Sequence, residues 1–261
     1  MAVGKNHFGR TACPTRGAHS YRDGLADRHG FADVDLYDAV HTTTLCEGEA
    51  APWRDNYTQW FANTLPGVAP NATGLANNDM RGRPYVLDEA LHPTAWTARR
   101  AVAAIRAHAG EGGANGANTK PLFLKASFHR PHSPYDPPQR LWDALENATL
   151  PPRVVSCDGW DARFGVPRNL TQGTPMPCPE LKDNGFACFC GDPGEAELAN
   201  SRRGYHANVA FVDEGVGQIM AALDETGMGD DTIVMLVADH GDMQVRHDVH
   251  APSAYLTSDH V

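Results

Sequence analysis

Apolar residues recur along the chain at two different spacings, and each spacing predicts a different kind of element. Between Tyr205 and Thr226 they follow a helical period, which predicts an amphipathic helix, at Val209, Val212, Val216, Ile219, Met220 and Leu223. A second helix is predicted from Pro93 onward, because proline suits a first helical turn and the following residues are rich in Ala and Arg. The chain is therefore expected to contain two substantial helices.

Two short apolar runs predict β-strands. Residues 121–127 form a short apolar run bounded by helix breakers, and residues 232–238 form a continuous run rich in β-branched side chains. The second run is typical of a strand that is buried on both faces of a parallel sheet. Residues 1–90 contain few periodic segments and are interpreted as irregular. Residues 137–200 are interpreted as an insertion or functional loop.

Polar side chains follow both predicted strands. His129 and His132 come after the first strand, and Asp239 and His240 come directly after the second. Because ligands of open α/β sheets bind at the carboxyl ends of the strands, we expect these residues to converge on one pocket. A carboxylate supplies the oxygen ligands that a hard cation such as Ca²⁺ prefers. Each residue taken singly also fits an ordinary polar turn, so both interpretations stay open on the pattern alone.

Length and composition limit the possible functions. The chain has 261 residues, of which 41% are hydrophobic, enough for one large α/β domain with a buried core. Its formal net charge of −10 and its lack of a basic stripe argue against nucleic-acid binding. No apolar run approaches the roughly 20 residues that cross a bilayer. The first residues also lack the hydrophobic core of a signal peptide.

Glycosylation sequons and cysteines favour a secretory route. Four sequons occur, at Asn56, Asn71, Asn147 and Asn169. Four of the six cysteines crowd into one Pro- and Gly-rich stretch, at Cys157, Cys178, Cys188 and Cys190. Free thiols and a zinc site are alternatives, although the spacing between the last two is shorter than zinc ligands usually have. We expect one or two disulfide bonds in this loop.

Four segments resemble motifs of the sulfatase family. Residues 232–242, which end in Asp-His-Gly-Asp, are similar to the family segment that leads through S-D-H-G-D/E into a metal site. Residues 205–213 resemble the helix Y-x-A-x-V-x-x-V-D, and residues 121–134 resemble P-F-F-L-x-x-x-x-H-x-P-H-x-P. Residues 4–9 resemble G-K-x-H-x-G. The matched motifs occur in the family's order, which makes the resemblance specific.

The resemblance implies a fold of the α/β class, an alkaline-phosphatase-like sandwich with a central, mostly parallel sheet flanked by helices. Residues 1–261 are then expected to form part of a sulfatase catalytic domain that is incomplete at its N-terminus. Residues 150–200 are expected to form a cysteine-containing loop insertion in that domain.

The resemblance also implies roles for individual residues. Asp239 and His240 match the ligands of a divalent cation, usually Ca²⁺. Lys5 and His7 match residues that contact the sulfate and the hydrated aldehyde nucleophile, and His132 matches a sulfate-binding residue on the leaving-group side. His7 and His132 are therefore the candidate catalytic residues, and Lys5 and His132 the candidate substrate-binding residues. A cation, an ammonium group and imidazole donors would stabilise the charge that develops on the ester oxygen.

Three family features have no match in the sequence. Sulfatases carry C-x-P-x-R, whose Cys becomes the formylglycine cofactor, and the nearest candidate is residues 12–16, Ala-Cys-Pro-Thr-Arg. Cys13 stands one residue too late in it, and the segment follows the G-K-x-H motif instead of preceding it. An Asp-Asp metal pair and a Lys after the Asp-His motif are also missing. Because covalent chemistry needs its nucleophile, we expect this chain to be weakly active or inactive. Truncation explains this most simply, and a degenerate paralogue is the alternative.

The sequence therefore predicts a sulfuric-ester hydrolase that uses a divalent cation and acts on a sulfated small molecule or glycan. The alternatives are a non-catalytic secreted binding protein and a phosphatase or phosphodiesterase of the same superfamily. The sequons, the cysteines and the family resemblance predict the secretory pathway, with an extracellular or lysosomal destination. We expect no nucleic-acid partner and no transmembrane segment.

Overall fold

The chain contains two compact units. The computed structural model describes residues 1–6, 30–37, 55–75, 79, 81–110, 120–150, 176–177, 189–190 and 195–242. The first unit consists of Met1–Pro70, Leu87–His129 and Val212–Ile233, and the second consists of Asn71–Val86, Arg130–Phe211 and Val234–Val261. None of the helices in these described ranges is both long enough and apolar enough to span a membrane.

A three-stranded parallel sheet forms the centre of the first unit. Its strands lie in the order β2 (Val34–Leu36), β1 (Ala2–Gly4), β3 (Lys125–Ser127). Gly4 pairs with Leu36 on one side and with Ser127 on the other, so all three strands end at the same edge. Ala2 and Val3 are fully buried, as expected for a parallel strand that is covered on both faces.

The end of β1 requires a glycine. Gly4 has a φ of +86°, a left-handed conformation that side chains disfavour. A Cβ atom built on it would lie 2.0 Å from the carbonyl oxygen of Ser127. This close approach lets the next residue, Lys5, donate its backbone N–H to the same oxygen over 2.9 Å.

Two helices pack on this sheet. Helix α1 (Asn56–Thr64) is capped by Asp55, whose carboxylate accepts a 2.7 Å hydrogen bond from the backbone N–H of Thr58. Helix α2 (Pro93–Gly110) begins at the predicted proline and contacts β1 and β3. The aromatic core between helices and sheet consists of Tyr37, Tyr57, Phe61 and Trp96 packed with Val3. Parallel strands covered by helices confirm the predicted α/β class.

Helix α4 (Glu195–Glu225) is the longest element, and its residues belong to both units. The helix predicted over residues 205–226 is confirmed at its C-terminal end. At its N-terminal end, the observed helix begins ten residues before the predicted start. Residues 195–204 contain good helix formers but lack an apolar period, which is why the pattern did not include them. In the first unit, Ala222 and Leu223 pack with Ile105 of α2.

The second unit contains shorter elements besides the first part of α4. Helix α3 comprises Gln139–Ala144, and Met176–Pro177 (β4) pairs antiparallel with Phe189–Cys190 (β5). Isolated parallel bridges join Gly82 to Tyr135 and Tyr85 to Pro138. Arg203 of α4 lies over the ring of Trp142, 4.4 Å from its centroid, and donates to its carbonyl oxygen over 2.7 Å.

The strand predicted over residues 232–238 is wrong. The segment has no strand structure, and its apolar side chains are exposed, with Ile233 at 91% and Leu236 at 84%. Hydrophobicity favours burial, but a strand also needs a neighbour that completes its hydrogen bonds. Within the described ranges, the sheet of the first unit contains only β2, β1 and β3.

The interpretation of residues 1–90 as irregular also needs correction. β1, β2 and α1 all lie in this region, together with a 3₁₀ turn at Glu89–Leu91. Both strands are three residues long, which is too short to show an alternating pattern. The prediction over residues 121–127 is confirmed only for its last three residues, which form β3.

Replacing Gly4 with alanine is expected to destabilise the protein strongly. The left-handed backbone alone costs about 1–2 kcal/mol for a residue with a Cβ, and the overlap with Ser127 adds to this cost. Gly30→Ala is the matched control, because Gly30 has a φ of +88° but no atom lies within 4 Å of the position that its Cβ would take. Urea denaturation followed by circular dichroism measures both, and equal losses would contradict the steric argument.

The exposed apolar run of residues 233–237 is expected to promote self-association. Leu236→Lys should lower the fraction of oligomer in sedimentation velocity at high protein concentration, because it places a charge within the run. Val86→Lys is the control, since it adds the same charge at an isolated valine that is 60% exposed. If both changes reduce association equally, net charge and not the apolar run is responsible.

Candidate functional site

In the first unit, polar and aromatic residues follow the ends of all three parallel strands. Lys5 follows β1 and is half-buried, Tyr37 follows β2, and His129 comes two residues after β3. The buried His129 ring lies 5.3 Å from the Tyr37 ring, measured between centroids. Tyr37 also donates its backbone N–H to the Gly4 carbonyl over 3.0 Å. The structure thus brings Lys5 and His129 to one edge of the sheet.

In the second unit, a buried ion pair fixes the segment that contains His132. The guanidinium of Arg130 donates two hydrogen bonds to the carboxylate of Asp136, from Nε over 2.6 Å and from a terminal nitrogen over 2.8 Å. The side chains are only 3% and 6% exposed. This forked geometry is specific for Arg and carboxylate, and it joins the two ends of a seven-residue loop.

Backbone contacts hold the same segment from its other side. Arg83 donates its N–H to the Tyr135 carbonyl over 3.1 Å, and Tyr85 donates to the Pro137 carbonyl over 2.8 Å. Residues 133–138 are all buried. His132, in contrast, is half-buried, so the rigid segment leaves part of its imidazole accessible.

The hydrogen bonds of His132 define its tautomer. Its Nδ1 lies 2.8 Å from the carbonyl oxygen of Ser133 and 3.4 Å from the hydroxyl of the same residue. A carbonyl oxygen only accepts, and this contact is the shorter one, so Nδ1 carries a hydrogen and donates it. In the neutral imidazole the lone pair is therefore on Nε2.

Asp239 and His240 are exposed residues of the second unit, with 83% and 75% of their side-chain surface accessible. Nδ1 of His240 lies 2.8 Å from the Gly241 carbonyl and donates to it. In the neutral imidazole the lone pair is then on Nε2, which lies 3.7 Å from Oδ2 of Asp239. The other carboxylate oxygen of Asp239 accepts a 2.9 Å hydrogen bond from the His240 backbone N–H.

This pair fits part of a cation site. A metal-binding histidine usually donates its other ring N–H to a carbonyl or carboxylate, as His240 does. The 3.7 Å between nitrogen and oxygen is a spacing that one cation with bonds of about 2.4 Å can bridge. In the described part of the chain, however, no three His, Cys, Asp or Glu residues form a group that could hold a metal ion. Within the described residues, Asp239 and His240 therefore form a pair and not a complete cation site.

A tyrosine connects the His132 segment to the segment of Asp239 and His240. The buried phenol of Tyr135 donates a 2.7 Å hydrogen bond to Oδ2 of Asp242. Burial, and then the negative charge of Asp242, raise the pKa of Tyr135 well above its ordinary value, so the phenol stays a donor. The same two causes raise the pKa of Tyr205, whose ring meets that of Tyr135 edge-on at 5.9 Å.

The candidate residues are distributed between the two units. Lys5 lies in the first unit, and His132, Asp239 and His240 lie in the second. His7 and Cys13 lie outside the described residues, as do the other cysteines except Cys190, whose backbone alone is described in β5.

Sequence reasoning assigned no role to Arg130, Tyr135 or Asp136. Arg130 and Asp136 stand six positions apart in a segment without regular structure, so no periodicity indicates that they pair. The partner of Tyr135 is 107 positions away in the sequence. Only the position of these residues within and beside the H-x-P-H motif could have drawn attention to them.

Comparison with known proteins gives one consistent result. The family model described as Sulfatase matches residues 15–258. The chain is 29% identical over 223 residues to an arylsulfatase of Clostridium perfringens (strain 13 / Type A), a match that covers 84% of this chain and 42% of that protein. The matched range of the family model includes His132, Asp239 and His240, whereas Lys5 and His7 precede it.

Two further relatives match about half of the chain. A choline-sulfatase of Rhizobium meliloti (strain 1021) is 33% identical over 127 residues, which are 48% of this chain and 22% of that protein. An iduronate 2-sulfatase of Mus musculus is 29% identical over 133 residues, again 48% of this chain and 22% of that protein. The chain thus spans less than half the length of each of these three relatives.

Removing one partner of the buried ion pair is expected to be costly. Asp136→Asn leaves the Arg130 charge buried without its counter-charge, and such a change typically costs about 3–5 kcal/mol of unfolding free energy. Glu225→Gln is the control, because the pair of Glu225 with Arg106 is exposed and should cost less than about 1 kcal/mol. Urea denaturation measures both, and a small loss for Asp136→Asn would show that the pair does not hold the segment.

Proposed function

The chain belongs to the sulfatase family, and on that premise we propose that the protein is a sulfuric-ester hydrolase acting on a sulfated small molecule or glycan. The observation that carries the proposal is the family match over residues 15–258, which includes the H-x-P-H and D-H-G-D motifs. The family has an alkaline-phosphatase-like α/β fold, with which the parallel sheet and helices of the first unit agree. The arylsulfatase and choline-sulfatase relatives support the same reaction class.

Asp239 and His240 are proposed to hold a divalent cation, Ca²⁺ by family preference. The support is the donor set itself, a carboxylate oxygen and an imidazole nitrogen 3.7 Å apart, with the imidazole oriented by a carbonyl. A bound cation would supply positive charge that stabilises the sulfate oxygens. The remaining ligands would have to come from other parts of the protein.

His132 is proposed to bind the sulfate and to donate a hydrogen bond to the leaving-group oxygen. Because Nδ1 donates to the Ser133 carbonyl, a proton added to the ring resides on Nε2. In the protonated ring, Nε2 can donate to the ester oxygen on which negative charge develops as the S–O bond breaks. The neutral ring instead presents an acceptor, so sulfate binding through Nε2 should strengthen as the ring gains its proton.

Lys5 is proposed to contact the sulfate through its ammonium group, and His7 to assist the nucleophile. The support for Lys5 is its position at the carboxyl end of β1, where the Gly4–Ser127 approach fixes its backbone. An ammonium group at such an edge offers a positive charge to an anionic ester. For His7 the support is the G-K-x-H motif alone.

The 261-residue chain itself is proposed to turn over slowly or not at all. Its sequence contains no C-x-P-x-R segment from which formylglycine could form, since Cys13 is displaced by one position. Anion and cation binding do not need this nucleophile, whereas covalent catalysis does. Binding and turnover should therefore separate in this chain.

A secretory destination is proposed because two of the glycosylation sequons are exposed. Asn71 and Asn147 are exposed and accessible to a glycosyltransferase. Asn56 is half-buried, and its amide oxygen accepts a 2.9 Å hydrogen bond from the Leu36 backbone N–H. The fourth sequon, at Asn169, lies outside the described residues.

Calorimetric titration with Ca²⁺ tests the cation site in the full chain. Asp239→Ala is expected to weaken Ca²⁺ binding at least about tenfold, because it removes the only carboxylate of the proposed pair. Asp230→Ala removes an exposed carboxylate from the Gly229–Asp231 turn and should leave the affinity unchanged. Equal affinities for wild type and Asp239→Ala would refute the assignment.

Hydrolysis of an aryl sulfate tests the expected lack of turnover in the same preparations. The wild-type chain should release product no faster than a protein-free blank. Robust release that disappears in Asp239→Ala would contradict the proposal that this chain is weakly active, and would show that another group acts as nucleophile.

A further inference from the structure

A hydrogen bond connects the two motif segments of the second unit. Its donor is the phenol of Tyr135, three positions after His132, and its acceptor is Asp242, two positions after His240. The 2.7 Å length and the charged acceptor are those of a strong hydrogen bond. The contact therefore joins segments that are more than 100 positions apart in the sequence.

The donor side of this contact is rigid. Tyr135 is only 1% exposed, and its carbonyl accepts the backbone N–H of Arg83 over 3.1 Å. Its neighbour Asp136 is fixed by the buried ion pair with Arg130. A Cβ added at Gly204 of helix α4 would lie 2.8 Å from the Cβ of Tyr135, so the helix packs directly against this residue.

The acceptor side lies in irregular chain with largely exposed side chains. Residues 239–242, which we call the 239–242 loop, have no helix or strand structure, and Asp239 and His240 expose most of their side chains. Asp242 is half-buried, beside the phenol that it binds. When a rigid donor binds a loosely held loop, the bond restricts the loop far more than the donor.

We propose that Tyr135 is a positioning residue that anchors the 239–242 loop to the His132 segment through Asp242. The anchor restricts the loop that carries Asp239 and His240, and so lowers the entropy that the loop loses when these side chains bind a cation. This role toward the cation rests on the proposed function. The anchoring itself does not, because it is a property of the chain without any ligand.

Backbone order parameters from ¹⁵N relaxation of the Ca²⁺-free chain test the anchor. In Tyr135→Phe, the order parameters of Gly241 and Asp242 should fall below roughly 0.6, the range of flexible backbone. Tyr85→Phe makes the same chemical change at another buried tyrosine of the second unit and should leave them unchanged.

Changes on the acceptor side keep the test independent of any packing defect at Tyr135. Asp242→Ala should loosen the loop at least as much as Tyr135→Phe, and the double variant should be no looser than Asp242→Ala, because both changes remove the bond between Tyr135 and Asp242. Asp242→Asn keeps an acceptor oxygen and should retain the order. Unchanged order parameters in Tyr135→Phe and Asp242→Ala would overturn the anchor.

Ca²⁺ calorimetry on the same variants tests the role toward the cation. Tyr135→Phe should raise the Ca²⁺ dissociation constant about five- to tenfold, and Tyr85→Phe should not change it. An unchanged constant in Tyr135→Phe would overturn this role. Absence of Ca²⁺ binding in the wild type would overturn the proposed function and the role toward the cation together. The order parameters would still test whether Tyr135 anchors the 239–242 loop.

Discussion

The buried ion pair between Arg130 and Asp136 is the interaction on which the candidate site depends. Removing two charges from water is expensive, and the cost is offset only when the geometry is close to ideal, as in the forked contact seen in this protein. The pair closes a seven-residue loop that contains the half-buried His132. The pair also fixes Asp136, the sequence neighbour of Tyr135. The phenol of Tyr135 in turn donates a hydrogen bond to Asp242.

A close backbone contact sets the edge of the parallel sheet in the first unit. Gly4 lets β1 approach the Ser127 carbonyl more closely than any side chain would permit. The backbone of Lys5 is thereby bonded to the end of β3, two residues before His129. In each unit, then, a close contact fixes the backbone beside a candidate site residue, Lys5 in the first unit and His132 in the second.

The sequence predicted the elements whose signal is local. Helix α2 follows from its opening proline and its content of Ala and Arg, and the part of α4 from residue 205 onward follows from apolar residues at helical spacing. The three-residue strands β1 and β2 carry no such signal, because their burial comes from the helices and neighbouring strands around them. The opposite error occurred at residues 232–238, where a strand was predicted and none is observed. A β-branched apolar sequence does not specify whether a partner strand lies beside it.

For the candidate site, the sequence indicated the residues but not the contacts that hold them. The H-x-P-H and D-H-G-D motifs indicated His132, Asp239 and His240 as candidates, and these positions lie within the range of the family match. The interactions that hold them were not predictable, because they join residues such as Tyr135 and Asp242 across a large sequence separation. Motifs indicate candidate groups for the chemistry, and the long-range contacts beside those groups appear only in three dimensions.

If His132 is an anion-binding side chain presented by a rigid segment, sulfate should bind at its ring. An NMR titration of the histidine ring resonances with sulfate measures this binding, with His132 assigned by the loss of its signals in His132→Gln. We expect a saturable shift of the His132 ring signals that is stronger at a pH where the ring is protonated. If sulfate leaves the His132 signals unmoved at every pH, His132 does not bind the anion and the proposed site is wrong.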